Sequence, residues 1–367
     1  MNNKLPKDWE IKTLGDIIKI TSGSGLTKSK RNDEGKYLVY GGNGITGKHD
    51  KYLFEEDRLI IGRVGVHCGN AYITKPKSWV TDNAFVVSFN EKEIDKKFLL
   101  NLIGVLNLNN YSVSTAQPVI SQGTIYPIEV ILPPLETQQA IVSKIEELFS
   151  ELDKGIEDLK TAQQQLKTYR QSVLKCAFEG KLTNENIKDG ALPKGWEKLK
   201  IKDICEIKGG KNQSKVINPN GKYPIYGSSG IFGFADEYIC DENTTIIGRK
   251  GNINSPLFVT TKFWNVDTAF GLCVNNKYDN KLLFYFCLGF NFKKLDKSTT
   301  IPSLAKSDIQ SIDIQVPPME EQHLIIQEIE SRLSVADKME ESIMQSLQQA
   351  EALRQSILKK AFSGELV

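Results

Sequence analysis

Apolar residues fall every seven positions at Ile145, Leu152, Leu159, Leu166 and Val173, and Phe149, Ile156 and Ala177 fill the same stripe four residues on. A sustained seven-residue period predicts a long helix in a left-handed coiled coil. The pattern returns at Ile329, Ala336, Ile343, Ala350 and Ile357, supported by Leu333 and Leu347. Pro133-Pro134 and Pro317-Pro318 mark the helix starts, and Gly180 and Gly364 stand where each helix should stop. At about 1.5 Å per residue, roughly 40 residues make a rod of about 60 Å. Chain order then dictates direction. The first helix delivers the chain to a second globular block, and the second helix starts there, so paired helices must run antiparallel. The expected seam is Ile145, Leu152, Leu159, Leu166 and Val173 against Ile329, Ile343, Leu347 and Ile357, and the expected shape is a dumbbell with two heads at a fixed separation.

Outside the stripes the period changes to that of short strands broken by glycine-rich turns. Strands are expected at Tyr37–Tyr40, Leu59–Ile61, Ala84–Phe89 and Ile128–Leu132, and again at Tyr223–Tyr226, Thr245–Ile247, Ala269–Val274 and Ile312–Val316. Helices are expected over Asp95–Leu106 and Lys281–Leu295. The resulting fold class is α+β: two tandem mixed α/β domains separated by two long helices forming an antiparallel coiled coil, with internal pseudo-two-fold symmetry. The expected boundaries are 1–134, 135–182, 183–318 and 319–367.

The symmetry is written in the residues. Leu5-Pro6-Lys7-Asp8-Trp9-Glu10 answers Leu192-Pro193-Lys194-Gly195-Trp196-Glu197, and Tyr37–Arg63 answers Tyr223–Arg249 with 13 of 27 positions identical. Two copies of a fold in one chain present two similar surfaces, which suits a partner with two sites to offer. At 367 residues with 25% charged and 40% apolar positions, the chain reads as two ordinary globular domains. No run is long enough to span a membrane and the amino terminus lacks an apolar signal core, so a cytoplasmic location is expected. Six scattered cysteines without a Cys-x-x-Cys pair read as reduced, mostly buried thiols. The net charge of +2 conceals a segregation: residues 1–134 carry 17 Lys/Arg against 14 Asp/Glu, residues 183–318 carry 18 against 14, and both helical blocks are net acidic. Small basic excesses on the heads favour a polyanion only weakly.

Several motifs invite catalytic readings that their context refuses. Gly42-Asn43-Gly44-Ile45-Thr46-Gly47-Lys48 imitates phosphate-binding loops, but no amphipathic helix follows, His49 replaces the expected Ser or Thr, and the second copy drops the lysine. These read as turn glycines. His49, His67 and His323 have no counterparts in the other copy and no metal-ligand spacing. The two Pro-Pro runs lack the amide or carboxylate and the aromatic of an adenine-methyltransferase loop. The chain is therefore expected to be non-catalytic, with no metal and no cofactor of its own.

Binding chemistry remains. Ile60-Ile61-Gly62-Arg63-Val64-Gly65 recurs as Ile246-Ile247-Gly248-Arg249-Lys250-Gly251, a strand running into a glycine-flanked arginine. The guanidinium fork can grip phosphate or guanine bidentately; the alternative is a structural arginine paired with an acid of its own head. Lys28, Lys30 and Arg31 lie in a basic loop that corresponds to one bearing Lys211, Asn212, Gln213 and Lys215. Both suit phosphate contact, and Asn212 or Gln213 could read adenine edges; a solvated surface loop is the alternative. Ser114-Thr115 and Ser298-Thr299 form a third repeated polar loop. The candidate DNA-binding set is thus Lys28, Lys30, Arg31, Arg63, Thr115, Lys211, Asn212, Gln213, Lys215, Arg249, Lys250 and Thr299.

In order along the chain, Tyr-Gly-x-x-Gly-Ile-x-Gly (Tyr40–Gly47, Tyr226–Gly233), Ile-Gly-Arg-x-Gly, Pro-Pro-x-Glu-x-Gln (Pro133–Gln138, Pro317–Gln322) and Arg-Gln-Ser-x-Leu-Lys-x-Ala-Phe-x-Gly appear twice. The whole chain thereby resembles the DNA-specificity (S) subunit of type I restriction–modification enzymes. The resemblance implies that each head is a target recognition domain reading half of a split, asymmetric sequence on double-stranded DNA. The helices would set the gap and dock methyltransferase (M) subunits. S-adenosylmethionine would then come with the M subunits, and ATP and Mg with restriction (R) subunits. The copies diverge most at Thr21–Gly35 against Ile207–Gly221 and at Val66–Ile73 against Asn252–Val259, where half-site readout is expected. A stand-alone DNA-binding defence protein and a coiled-coil interaction scaffold are the alternatives.

Overall fold

The computed structural model describes residues 7–32, 34–113, 117–184, 187–188 and 190–367. The chain forms two compact units, Met1–Asp158 with Ser346–Val367, and Leu159–Gln345. Each unit therefore owns a globular head and one stretch of both long helices.

In the first unit the elements are β1 (Glu10–Thr13), α1 (Leu14–Ile17), β2 (Lys19–Ser22), β3 (Tyr37–Gly41), β4 (Gly44–His49), β5 (Leu59–Gly62), β6 (Ala71–Ile73), β7 (Trp79–Val80), β8 (Ala84–Ser88), α2 (Lys96–Leu106), α3 (Gln122–Ile125) and β9 (Glu129–Leu132), followed by the long α4 (Leu135–Phe178). A four-stranded sheet in the order β2-β8-β5-β6 lies between two layers, and a small sheet has the order β4-β3-β7. All four residues of β5 are buried, because both faces of this strand are covered. Leu59 and Ile61 face a core shared with Phe98, Leu99, Leu102 and Ile103 of α2, whereas Ile60 joins Tyr40 and Val80 of the small sheet. Asp95 caps α2 by accepting from Lys97 N and Phe98 N at 2.9 Å each.

The second unit repeats this order: β10 (Glu197–Lys200), α5 (Ile201–Ile204), β11 (Cys205–Gly209), β12 (Tyr223–Gly227), β13 (Gly230–Ala235), β14 (Thr244–Gly248), β15 (Leu257–Val259), β16 (Trp264–Asn265), β17 (Ala269–Val274), α6 (Asn280–Gly289), α7 (Lys306–Gln310) and β18 (Asp313–Val316), then the long α8 (Met319–Ser363). Its sheets run β11-β17-β14-β15 and β13-β12-β16. The expected helix over Lys281–Leu295 is two pieces, α6 and a separate 3-10 turn over Phe292–Leu295. The break has a local cause: Phe290 is extended, and the Asn291 side chain accepts from Lys293 N to begin the new turn.

The Pro-Pro-x-Glu-x-Gln motif resolves into a buried clasp in each unit. Gln138, fully buried, donates to Pro133 O (2.8 Å) and Glu93 O (2.9 Å) and accepts from Asp95 N (2.9 Å). Gln322 does the same with Pro317 O (2.8 Å), Lys277 O (2.9 Å) and Asp279 N (2.7 Å). The start of each long helix is thereby tied to the cap of the head helix. At the other end, Gly180 (φ 74°) and Gly364 (φ 79°) take the left-handed conformation that stops α4 and α8, and each sends the next N–H five residues back.

Within each unit the two helix stretches pair antiparallel. In the first, Arg354 grips Asp153 and stacks 4.5 Å over the Phe149 ring. In the second, Arg170 reaches Asp337 and Glu340, the latter at 2.7 Å. The seven-residue stripe does two jobs. Leu152, Leu159, Leu166, Ile343 and Leu347 are half-buried, as a two-helix seam requires. Ile145 and Ile357 sink into the first head's core, and Val173 and Ile329 into the second's. Its ends are therefore core positions of the heads rather than seam alone.

Candidate nucleic-acid interface

In both units the polar loop and the hairpin end meet at the glycine-flanked arginine. Arg63 leaves β5 with its N–H on Asn83 O (2.9 Å), its carbonyl accepts from Ile120 N (3.0 Å), and Gly65 N donates to Pro118 O (2.9 Å). Arg249 leaves β14 with its N–H on Thr268 O (2.8 Å), its carbonyl accepts from Leu304 N (2.9 Å), and Gly251 N donates to Pro302 O (2.8 Å). The polar loop ahead of Pro118 or Pro302 is therefore stitched to the arginine turn. Ser114 and Thr115 lie outside the described residues. Thr299 is exposed, in a loop held by Asp296, whose Oδ1 accepts from Ser298 Oγ (2.6 Å), Ser298 N (3.0 Å) and Ser303 N (3.1 Å). Those bonds, led by the Ser298 hydroxyl, hold the Asp296 carboxyl below the usual range.

Each guanidinium stands over an aromatic ring of the neighbouring strand, Arg63 5.4 Å from the Phe85 centroid and Arg249 5.7 Å from Phe270. Their hydrogen bonds go to neutral groups: Arg63 Nη1 to Ser22 Oγ at 3.2 Å, Arg249 Nη1 to Asp267 O at 3.3 Å. Among the described residues neither is in an ion pair. An arginine held by a ring and a neutral oxygen keeps its charge available to an anion, which disfavours the salt-bridged alternative.

The basic loops are seated alike. Gly23 and Gly210 pass so near the backbone that a Cβ would stand 2.3 Å from Thr81 O and 1.9 Å from Val266 O, respectively. Immediately beyond, an indole N–H clasps the loop: Trp79 Nε1 donates to Ser24 O and Trp264 Nε1 to Lys211 O, each at 3.0 Å. Lys28 and Lys30 sit on an exposed 3-10 turn, and Arg31 Nη1 donates to Thr46 O at 2.9 Å. Lys211, Lys215 and Lys250 are exposed. Asn212 Oδ1 accepts from Ser214 N at 2.8 Å, so its oxygen already shapes the loop, while Gln213 is half-buried with its carbonyl taking Val216 N and Ile217 N.

The glycine-rich run Gly42–Lys48 is a hairpin, with Gly42-Asn43 as the turn between β3 and β4 and no helix behind it. Gly44 to Gly47 are strand residues rather than turn residues, and so are Gly230 to Gly233. The hairpin ends abut the arginine turns: a Cβ on Gly42 would lie 2.9 Å from Val64 O, and one on Gly251 would lie 3.8 Å from Ser228 Oγ. Phe85, Phe270, Trp79 and Trp264 were not nominated from sequence. Their signal was present, since Ala84-Phe85 and Ala269-Phe270 hold matching places after the Trp-bearing strands. Among the described residues, no group of three or more His, Cys, Asp or Glu could hold a metal ion, and no helix is long and apolar enough to cross a membrane.

Comparison with known proteins agrees with this geometry. The chain is 24% identical over 407 residues to the EcoDI type I restriction enzyme specificity subunit of Escherichia coli, covering 99% of this chain and 90% of that one. It is 24% identical to the putative MjaX specificity subunit of Methanocaldococcus jannaschii, covering 99% and 95%. Two solved structures share the fold. One is a chain from work on complex assembly and conformational transition of the type I R-M system, with TM-score 0.81, 19% identity and coverage of 99% and 100%. The other is the HsdS subunit from Thermoanaerobacter tengcongensis, with TM-score 0.64, 20% identity and coverage of 100% and 99%. Residues 6–161 and 193–349 each match the type I restriction modification DNA specificity domain. With both halves of its repeat matched, the chain belongs to the type I restriction–modification DNA-specificity family.

Proposed function

We propose that each head reads one half of a bipartite, asymmetric site on double-stranded DNA, and that the chain acts as the non-catalytic address-bearing subunit for methyltransferase (M) subunits. The observation that carries this reading is the duplicated meeting of a hairpin end and a polar loop at an arginine that, among the described residues, is in no ion pair, with a clasped basic loop in the same head. Arg63, Lys28, Lys30 and Arg31 would serve one half-site; Arg249, Lys250, Lys211 and Lys215 would serve the other, largely through phosphates. The paired helices suit protein docking. In the second unit they open an apolar groove whose lining includes Leu166 and Ile343 beside the exposed Tyr169, Val335 and Met339, surface that a partner's helices would cover. In this reading S-adenosylmethionine arrives with the M subunits, ATP and Mg with restriction (R) subunits, and this chain contributes position alone.

The test is a methylome. Long-read sequencing of a host carrying the chain with its methyltransferase should return one split motif with unequal halves. Replacing residues 21–36 by 207–222 should change one half and leave the other. A host with no motif dependent on this chain, or a motif indifferent to the exchange, would overturn the reading.

A further inference from the structure

The two hairpins share one backbone and present opposite chemistry. Their equivalence is fixed by an asparagine that performs the same four tasks in each head. Asn32 N donates to Lys48 O (3.0 Å), its Nδ2 to both Asp50 oxygens (3.1 and 3.2 Å), its Oδ1 accepts from Glu34 N (3.0 Å), and its carbonyl from Gly35 N (2.9 Å). Asn218 repeats this with Phe234 O (2.9 Å), both Asp236 oxygens (3.0 Å each), Asn220 N (3.0 Å) and Gly221 N (2.8 Å). Arg31 and Ile217, one residue before each asparagine, therefore occupy the same place, and so do Lys48 and Phe234.

The register of each hairpin also slips at the same point, between Val39 and Tyr40 and between Ile225 and Tyr226. The extra residue opposite is Thr46 in one head and Phe232 in the other. Both lie over a glycine: a Cβ on Gly41 would be 2.9 Å from Thr46 Cγ2, and one on Gly227 would be 3.4 Å from the Phe232 ring. A bulge re-aims a side chain, and here it aims threonine in one copy and phenylalanine in the other.

Arg31, Thr46 and Lys48 thus answer Ile217, Phe232 and Phe234 on a common frame. The apolar trio is not core: Ile217 is 50% exposed, Phe232 52% and Phe234 43%. Its surroundings identify what it meets. The exposed Lys211 and Lys215 lie in the loop that leads into Ile217, and the hairpin ends against the turn of Arg249 and Lys250. An apolar strip on a two-stranded ribbon, with cations in the adjoining loop and turn, suits the major groove, where phosphates flank base edges and thymine alone offers a methyl group.

We propose that the bulged hairpin is a specificity-determining element: in the second head Phe232, with Ile217 and Phe234, takes up a thymine C5-methyl, while in the first Arg31 and Lys48 present donors, and Thr46, whose hydroxyl donates to Val39 O at 3.3 Å, an acceptor oxygen, to a polar base edge. This rests on the reading of the heads as DNA-binding modules. The half-site of the second head must then contain an A·T pair at the position that Phe232 faces.

The full chain with its methyltransferase is the material for the test. The unaltered chain is run first; if it yields no motif, the function proposed above falls. Given a motif, the triple variant Ile217→Arg, Phe232→Thr, Phe234→Lys should alter one half of it and spare the other. An unchanged motif overturns the inference while leaving the function standing. Should the triple variant lose methylation altogether, the decision passes to the unaltered chain and duplexes with uracil in place of thymine in the second half-site. Loss of one methyl at the contacted position should weaken binding about fourfold, and Phe232→Ala should erase that difference. Equal affinity for thymine and uracil at every position, or a half-site with no A·T pair, overturns the inference.

Discussion

The two heads differ little where they must be built and much where they face outward. The buried glutamines, the capping aspartates, the indole clasps and the arginine-over-phenylalanine stacks are superposable in chemistry. Arg31, Thr46 and Lys48 against Ile217, Phe232 and Phe234 are not. A duplicated chain can hold its frame fixed because buried hydrogen bonds and close backbone approaches tolerate few substitutes, while exposed strand positions carry small stability costs. Divergence therefore accumulates on the exposed hairpin surface, the one proposed to meet the ligand.

The shared frame can be broken most severely at its glutamines. Gln138→Ala orphans the N–H of Asp95 and two carbonyls, and Gln322→Ala does the same at Asp279. With about 1–3 kcal/mol for each unsatisfied buried group and partial relaxation, each variant should lose about 2–4 kcal/mol locally. Hydrogen exchange should quicken in α2 for the first variant and in α6 for the second, by comparable factors. Exchange unchanged in one of the two would show that the heads are not equivalent frames.

The next effect lies at the arginines. Arg63→Ala and Arg249→Ala should each weaken binding to the cognate duplex by about 1–3 kcal/mol, roughly 5- to 150-fold. A phosphate role further predicts a plot of log affinity against log salt that is shallower by about 0.9 per lost contact, with an unchanged motif. A relaxed motif after either substitution would assign that arginine to a base edge instead, and a difference between the two would make the half-sites unequal in mechanism as well as sequence.

How much of this was legible in the chain depends on the kind of signal. The long helices were, because a seven-residue period sustained over five repeats is hard to produce otherwise. That Ile145, Val173, Ile329 and Ile357 belong to head cores was not, since a heptad position looks the same whether its neighbour is a helix or a sheet. The hairpin strands β4 and β13 escaped notice because glycines, a bulge and exposed side chains disrupt the alternation that marks a strand. Aligning Thr21–Gly35 with Ile207–Gly221 already sets Arg31 against Ile217, but it misplaces the start of the loop. One residue is lost between the copies inside that loop, so the pairing offset falls from 187 at Ser24 and Lys211 to 186 at Asn32 and Asn218. Hydrogen bonds, not residue identity, fix the alignment there. Of the candidate contacts, the arginines and basic loops were readable as repeated motifs; their aromatic supports were repeated too, but looked like ordinary strand residues.

A smaller effect separates the two stretches of paired helix. Arg170 bridges two carboxylates, whereas Arg354 grips one and rests on the Phe149 ring. Each arginine side chain is about three-quarters buried but each aspartate is largely exposed, at 66% and 62%. Solvent screening therefore limits the ion pairs to about 1 kcal/mol. Arg170→Met should accordingly lose its effect in high salt, while Arg354→Met, which sacrifices stacking as well, should remain destabilised there. Thermal melts at low and high salt check this, and an identical salt response for the two would remove the distinction.

The smallest predicted effect concerns a pair that the first head lacks altogether. Cys240 and Cys273 share a small apolar cluster in the second head, and the register of the strands places Ser88 where Cys273 stands. Hydrogen bonding with Cys240 lowers the Cys273 thiol, with help from the nearby Lys208, although burial opposes the shift; the Cys240 thiol also meets Asn265 Oδ1 at 3.4 Å. Cys240 moves the other way, raised first by its hydrogen bonding with Cys273, then by burial and by the charge that a Cys273 thiolate would place beside it. A depressed thiol ionises earlier as pH rises. Alkylation of Cys273 by iodoacetamide in the folded chain should therefore rise at a lower pH than that of an ordinary thiol, while the buried Cys68, Cys205 and Cys287 stay protected. Without the donor, the anion loses its first stabilising contact, so Cys240→Ala should move the Cys273 profile toward the ordinary thiol range. Peptide mass spectrometry across pH reads both curves. Superimposable curves would mean that the hydrogen bond does not set the acidity of Cys273, and that the second head's thiols differ from the first head's serine in packing alone.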